Sequence, residues 1–405
     1  MATRYLIGLS SGSSLNGVDA ALVRLDGVGL RLAARLDQFL HWPYPRELRD
    51  MLVRADSADD ALLRQAALLH RLLGETYAGA ARKLTEAARL AANEVLCIGC
   101  SGHALAHDPE GRYPTTLNLG MTSVVAERTG ITTISDFRSR DLVLGGQGVP
   151  LTPVVDHLLF HDAAESRVLV HLGGLATVLA LPAAGTPKDV IGFHAAPCCL
   201  LLDGFMQHLT NGREPYDAGG KHAVQGRCIE PLLQRWLAHP LLLRRPPKTI
   251  SRLDFGPEFI QQAVAWAQQT KNSLHDLLCT AAHFVVRAIV DALRRFIPGQ
   301  PARVLLSGGG TRNGFLWRLL EQQLAPLKVE KIDNYGIPAE ARKAVAFAAL
   351  AALALDGVPA NLPSVTGASG PRLLGTFTPG APPNWARCLA WMARHAATPP
   401  VALAA

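Results

Sequence analysis

The residues best suited to chemistry sit in small-residue turns, each seated on an apolar run. Ser11, Gly12, Ser13 and Ser14, followed by Asn16, Gly17 and Asp19, separate the apolar stretches 5–9 and 18–23. A turn of Ser, Gly and Asn can aim backbone N–H groups and hydroxyls at one point with no bulky side chain in the way, which is how a phosphate is held. An ordinary hairpin explains the stretch equally well. The same design recurs downstream. Gly308, Gly309 and Gly310 follow the apolar run 304–306, almost three hundred residues after the first turn. Gly173 and Gly174 lie between the runs 168–172 and 178–181. Glycine turns so far apart, each anchored by a strand, point to a nucleotide held between two lobes.

Other reactive types are placed less tellingly. The loop 136–151 is dense in charge and glycine and carries Arg138, Arg140 and Gln147. It reads as an interdomain crossing that lines a cleft, or as a solvated surface loop. Cys198 and Cys199 are adjacent and follow His194. They fit buried small hydrophobes better than a thiol centre. His103 and His107 fit surface or hydrogen-bonded roles better than metal ligation.

These residues need a framework, and composition allows one. The chain has 405 residues, 49% of them hydrophobic and 18% charged, enough for two well-cored domains and not the signature of disorder. The net charge of +7 suits anionic ligands. The basic residues are scattered without interleaved aromatics, so nucleic-acid binding is not expected. Seven cysteines, an odd number, fit free thiols in a reducing cytoplasm. The N-terminus enters a strand without a signal-peptide pattern, and the Ala/Leu-rich stretch 344–355 is too short to span a bilayer.

Along the chain, apolar residues at helical spacing predict one long or two consecutive helices over 60–90. Strands are expected at 94–98, 116–119 and 131–134, with a helix at 123–128. Strand 190–193 should end at His194, before a helix over 200–209. Pro257 at a helix start, and Ser273 with Asp276 three residues on, mark two more helices. Strand 304–306, a helix near 316–324 and an Ala-rich helix after Pro338 complete the second lobe. Alternating strands and helices predict a mostly parallel sheet. The echo of residues 5–23 in 168–181 hints at an internal duplication.

Duplicated, strand-rich lobes with hairpin phosphate loops point to the actin, hexokinase and heat-shock chaperone superfold. Within it the chain resembles the anhydro-N-acetylmuramic acid kinases of bacterial cell-wall recycling, from Ile7 to about Phe377. The matching stretches include Ser-Gly-Ser-Ser-Leu-x-Gly-Val-Asp at 11–19, Asp136-Phe137-Arg138, and Gly145-Gly146-Gln147-Gly148 with Pro150-Leu151. Leu172-Gly173-Gly174-Leu175-Ala176, Ser307-Gly308-Gly309-Gly310, Gly336-Ile337-Pro338-Ala339 and Leu362-Pro363-Ser364-Val365-Thr366-Gly367 continue the series in the family's order. The resemblance implies an α/β, two-lobed actin-like ATPase fold with an interlobe cleft. Lobe I is expected over 1–134, with the segment from about 360 returning to it, and lobe II over 135–359.

It also implies chemistry. Such a kinase binds ATP and Mg2+ between its lobes and activates a water that attacks the anomeric carbon of a 1,6-anhydro sugar. The freed 6-oxygen then takes the γ-phosphoryl group. Ser11, Gly12, Ser13, Ser14, Asn16, Gly17, Asp19, Gly173, Gly174, Gly308, Gly309 and Gly310 would face the nucleotide, and Arg138, Arg140, Gln147 and Lys343 the sugar cleft. Partners would be a nucleotide and an amino sugar, without nucleic acid or membrane, and the family context admits a homodimer.

The departures from the family pattern cluster. His194 stands where the family's catalytic aspartate follows Gly-Phe, and Asn16 replaces an aspartate in the first turn, which weakens Mg2+ binding. Thr177 replaces an asparagine, Met121 an aspartate, and Lys343 a sugar-site glutamate. Losing several polar groups together removes most of an active site's acceleration unless the site is rewired. A neutral imidazole can serve as a base near neutral pH, so His194 stays a candidate base. A catalytically inactive or repurposed paralogue that binds nucleotide, sugar or a protein partner is the competing expectation. A kinase with a different acceptor is the third.

Overall fold

The computed structural model describes residues 3–12, 15–54, 61–251 and 254–395. Ser13 and Ser14 lie outside the described residues. The chain divides into two compact units, one of residues 1–160 with 341–405 and the other of residues 161–340.

In chain order the first unit opens with β1 (Thr3–Ser11), β2 (Gly17–Asp26), β3 (Ala33–Pro43), α1 (Arg46–Arg54), α2 (Ala61–Ala88) and β4 (Val95–Cys100). It continues through β5 (His103–Asp108), β6 (Thr115–Leu119), α3 (Thr122–Thr129), β7 (Thr133–Ser135), α4 (Ser139–Val143) and α5 (Pro153–Phe160). The second unit holds β8 (Arg167–Leu172), β9 (Leu175–Leu181), β10 (Ile191–Pro197), α6 (Cys199–Thr210), α7 (Glu230–Leu237) and α8 (Pro240–Leu243). After them come α9 (Pro257–Gln269), α10 (Leu274–Phe296), β11 (Arg303–Ser307), α11 (Gly314–Leu324) and β12 (Lys328–Lys331). The chain then returns to the first unit with α12 (Arg342–Leu355), α13 (Pro363–Thr366), β13 (Thr376–Thr378) and α14 (Pro382–His395).

The sheets are mixed, not mostly parallel as the alternation of elements predicted. The first has the order β13-β7-β4-β1-β2-β3 and the second β10-β9-β8-β11-β12. In the first, β1 pairs antiparallel with β2, and β2 with β3, while β4 runs parallel to β1 and β7 to β4. In the second, β9 is antiparallel to both β8 and β10, while β11 runs parallel to β8 and β12 to β11. Short turns can only join antiparallel neighbours, so each unit begins as a meander before its helices allow parallel crossovers. With β13 set aside, the two sheets share one order of strands, third-second-first-fourth-fifth, with the same senses. The duplication hinted at by the turns is a duplication of topology.

The expected boundaries at 134 and near 359 are corrected to 160 and 340. Residues 135–160 belong with the first unit. So does the Ala-rich helix expected to complete the second lobe: α12 packs on β1, β2 and β4. The reason is steric. A Cβ on Gly8 would collide with the carbonyl of Ala344, and one on Gly99 with that of Phe347, so two strand glycines let a thin alanine helix lie directly on the sheet. A buried ion pair between Arg342 and Asp156 ties the start of α12 to α5, with Arg342 Nε 2.7 Å from Asp156 Oδ1.

In the second unit α10 runs through the centre of the core, and its own Phe284 is buried among Phe193, Phe205, Trp236 and Phe255. Its start is the expected capping box, in which Ser273 Oγ accepts from Asp276 N at 3.1 Å and Asp276 Oδ2 accepts from Ser273 N at 3.0 Å. Among the described residues no helix is long and apolar enough to cross a membrane.

Candidate active site

The predicted site residues fall into two groups, one in each unit. In the first unit, Ser11 ends β1 and its hydroxyl is already engaged, 2.6 Å from Tyr77 Oη and 3.3 Å from the Gly102 carbonyl. Tyr77 is fully buried, and desolvation pushes its phenol well above its ordinary value, so it stays protonated beneath the turn. Between Gly12 and Gly17 the chain bends at Leu15, in the left-handed region at φ 51. Gly17 opens β2 opposite Pro43. The Asn16 carbonyl accepts from Tyr44 N at 3.1 Å. Asp19 Oδ1 lies 2.8 Å from His41 Nδ1.

The loop 136–151 is internal to this unit, which corrects its reading as an interdomain crossing. Asp141 ties it together. This fully buried carboxylate accepts from Gly148 N at 2.8 Å, Asn361 Nδ2 at 2.8 Å and Thr366 Oγ1 at 2.7 Å. The Leu362–Gly367 motif is therefore a scaffold for the loop, since Gln147 N also donates to the Thr366 carbonyl at 2.7 Å. Arg140 points outward and caps the Leu373 carbonyl at 3.1 Å, apart from the other predicted groups.

Arg138, Lys343 and Asp19 do come together. Burial above all, with the cations Arg138 and Arg342, brings the Lys343 ammonium down to about 8, and Asp19 opposes the shift. Burial also lowers Arg138, to about 10, which leaves it a cation at neutral pH. His107 is drawn down to about 4 by burial and by Arg138, so its ring is neutral there. Asp19 already has a histidine partner and Asp136 acts on Arg138, so the cluster sets the cations Arg138 and Lys343 among two carboxylates.

In the second unit, register brings together residues that are far apart in sequence. His171 pairs with Ser307 on β11 and with Thr177 on β9, and Thr177 pairs with His194 on β10. Side chains on one register line share a face, so Ser307, His171, Thr177 and His194 form a polar row across four strands. It lies at the C-terminal ends of β8 and β11, where parallel strands commonly present ligand sites. His171 Nδ1 lies 3.0 Å from Ser307 Oγ. Its ring is wedged beneath both glycine turns: a Cβ on Gly173 would come within 2.8 Å of Nε2, and one on Gly308 within 2.9 Å of Cε1. Gly308 is left-handed at φ 88, whereas Gly309 faces open space. Sequence reading passed over His171 because its importance comes from strand register, not from a motif.

Strand β10 runs on through His194 to Pro197 instead of stopping, and α6 starts at Cys199. The Gly174 carbonyl accepts from Cys198 N at 2.9 Å and Leu200 N at 3.1 Å, and the Gly173 carbonyl from Cys199 N at 3.0 Å. Those turn carbonyls therefore satisfy the orphan donors at the start of α6. His194 Nδ1 accepts from Ile250 N at 3.2 Å. That nitrogen carries no proton, so in the neutral ring the proton sits on Nε2. The Cys199 thiol is pushed well above its ordinary value by a hydrogen bond with the Cys198 thiol and by burial, which fits the small-hydrophobe reading. A Cβ on Gly310 would lie 3.3 Å from Cys199 Sγ. One turn further along α6, burial raises the half-buried Asp203 to about 7. Asp203 is the second group that sequence reading missed.

The family model for anhydro-N-acetylmuramic acid kinase matches residues 4–380. The kinase of that name from Gloeobacter violaceus is 39% identical over 376 residues, 92% of this chain and 98% of that protein. Its counterpart from Salinibacter ruber is 36% identical, over 94% of this chain and 97% of that protein. The chain belongs to the anhydro-N-acetylmuramic acid kinase family. Among solved structures, the activator of the 2-hydroxyisocaproyl-CoA dehydratase from Clostridium difficile with bound ADPNP aligns with a TM-score of 0.42 and 13% identity, over 86% of this chain and 94% of that one. As a member of this kinase family the chain has the two-lobed actin-like α/β fold, whose duplication is visible in its two sheets. Thr177 and His194 face each other across β9 and β10.

Proposed function

We propose that this chain is a nucleotide-binding member of its kinase family in which the inherited reaction is strongly attenuated at the base. That reaction is ATP-dependent: water adds to the anomeric carbon of 1,6-anhydro-N-acetylmuramic acid, the bridge opens, and the 6-oxygen takes the γ-phosphoryl group. It belongs to murein recycling in the cytoplasm.

One observation carries the reading. A base must offer a lone pair, and the Nδ1 lone pair of His194 is taken by the Ile250 N–H. Nε2 holds the proton and can donate, but cannot accept one from water.

Nucleotide binding is supported separately. Gly309 opens onto free space beside a left-handed Gly308, which leaves room for a ligand to approach the backbone, and His171 lies beneath that turn. ATP supplies the phosphoryl group. Mg2+ would draw on Asp19, whose Oδ1 is shared with His41, and Asn16 offers only a neutral oxygen, so magnesium dependence should be weak. The Arg138–Lys343 pair favours the sugar's carboxylate, but loss of the family's glutamate leaves sugar hydroxyls unpaired, so the sugar should bind weakly.

Calorimetry with a non-hydrolysable ATP analogue should show binding, and absence of heat at millimolar analogue would remove the nucleotide half of the proposal. Asp203 favours a second reading, since a carboxyl titrating near neutrality one turn from Cys199 can act as a replacement base. Turnover lost in Asp203→Asn but kept in His194→Ala would establish it.

A further inference from the structure

The second unit contains a cavity of about 330 Å³ between α7 and α9, lined in part by Trp236, Trp266, Arg235, His239, Asp254 and Glu258. None of these belongs to the polar row or to a glycine turn. The volume is at the lower end for ligand pockets and suits a single ring with a short substituent. The partly exposed Trp266 indole offers an apolar face, while Asp254 and Glu258 accept hydrogen bonds and Arg235 donates them. The carboxylates outnumber the guanidinium, which disfavours phosphates and nucleotides. Arg235 in turn disfavours a cation that the aromatic rings alone would attract. The His239 ring closes one side of the cavity and packs on Phe255 at 4.8 Å between centroids.

We infer that this cavity is a binding site for an uncharged N-acetylated sugar. The apolar face of a pyranose ring stacks on the Trp266 indole, and its hydroxyls meet Asp254 and Glu258. The acetamido N–H meets a carboxylate, the acetamido carbonyl meets Arg235, and the methyl rests on Ala263, which also lines the cavity. The inference rests on the cavity alone and stands whether or not the chain turns over a sugar.

Saturation-transfer NMR on the full chain with N-acetylglucosamine tests it. Transfer to the ring and methyl protons is expected, with a Kd in the low millimolar range. Trp266→Ala should weaken binding about ten-fold, which is 1.4 kcal/mol. The exposed Glu258→Gln should weaken it several-fold and guards against a folding defect in the tryptophan variant. His194→Ala should leave it unchanged, which separates this site from the candidate active site. No transfer at tens of millimolar sugar, transfer insensitive to both cavity variants, or displacement by tetramethylammonium or AMP would overturn the inference.

Discussion

An imidazole accepts a proton only at the nitrogen that lacks one, and in His194 that nitrogen is held by the Ile250 backbone 3.2 Å away. His194→Ala should therefore change turnover little. His194→Asp alone should stay below detection in a coupled ADP-release assay on the proposed reading, in which Asn16, Thr177, Met121 and Lys343 also depart from the pattern that the resemblance implies. Activity restored by His194→Asp alone would show that the base is the only defect. Lys343 makes a second test. Its value falls from 10.5 to about 8, so the folded state holds fewer protons than the unfolded one between those pH values. Stability linked to this group is lowest below pH 8 and rises as pH climbs toward 10.5. Lys343→Met should accordingly stabilise the protein by about 1–3 kcal/mol at pH 7, a gain that fades toward pH 10.5. Denaturant melts at both pH values check it, and a gain independent of pH would contradict the assignment. The glycine turns and His194 were singled out in the sequence because their signals are local. The row of Ser307, His171, Thr177 and His194 was not, because only the register of four strands aligns residues so distant in the chain.

Among the elements, α12 shows how little an apolar pattern says about location. A helix with nearly every residue buried suits either unit, and its placement is written instead in Gly8 and Gly99, on the strands it covers. Gly8→Ala should push α12 off the sheet and cost about 3 kcal/mol or more, above ordinary overpacking because the obstacle is backbone. A loss below about 0.5 kcal/mol in urea unfolding would mean that the helix yields readily. Strand β3 went unread because its residues are mostly exposed or half-buried and give only a faint alternation. The capping box of α10 and the proline start of α9 were legible, since those signals lie within one helical turn.

At the scale of the molecule, the C-terminal return closes the first unit. β13 pairs with β7, and Asn384 bonds Thr132 N at 2.7 Å and the Val95 and Leu96 carbonyls at 3.0 and 3.1 Å. Asp356, just after α12, accepts from both terminal nitrogens of Arg4, from Gly29 N at 2.9 Å and from Trp391 Nε1 at 2.8 Å. Replacing it strands a buried guanidinium, so Asp356→Ala should cost about 3–5 kcal/mol and lower the Tm by many degrees, as calorimetry would show. The unit boundaries were not readable from the sequence, because they depend on which sheet α5 and α12 cover. The account as a whole holds that nucleotide binding outlives the base. Phosphorus NMR of the purified protein with ATP, magnesium and 1,6-anhydro-N-acetylmuramic acid tests this most directly. The account predicts nucleotide resonances broadened by binding and no sugar phosphate over hours. Steady formation of the 6-phosphate by the wild-type chain, abolished in His194→Ala, would contradict it.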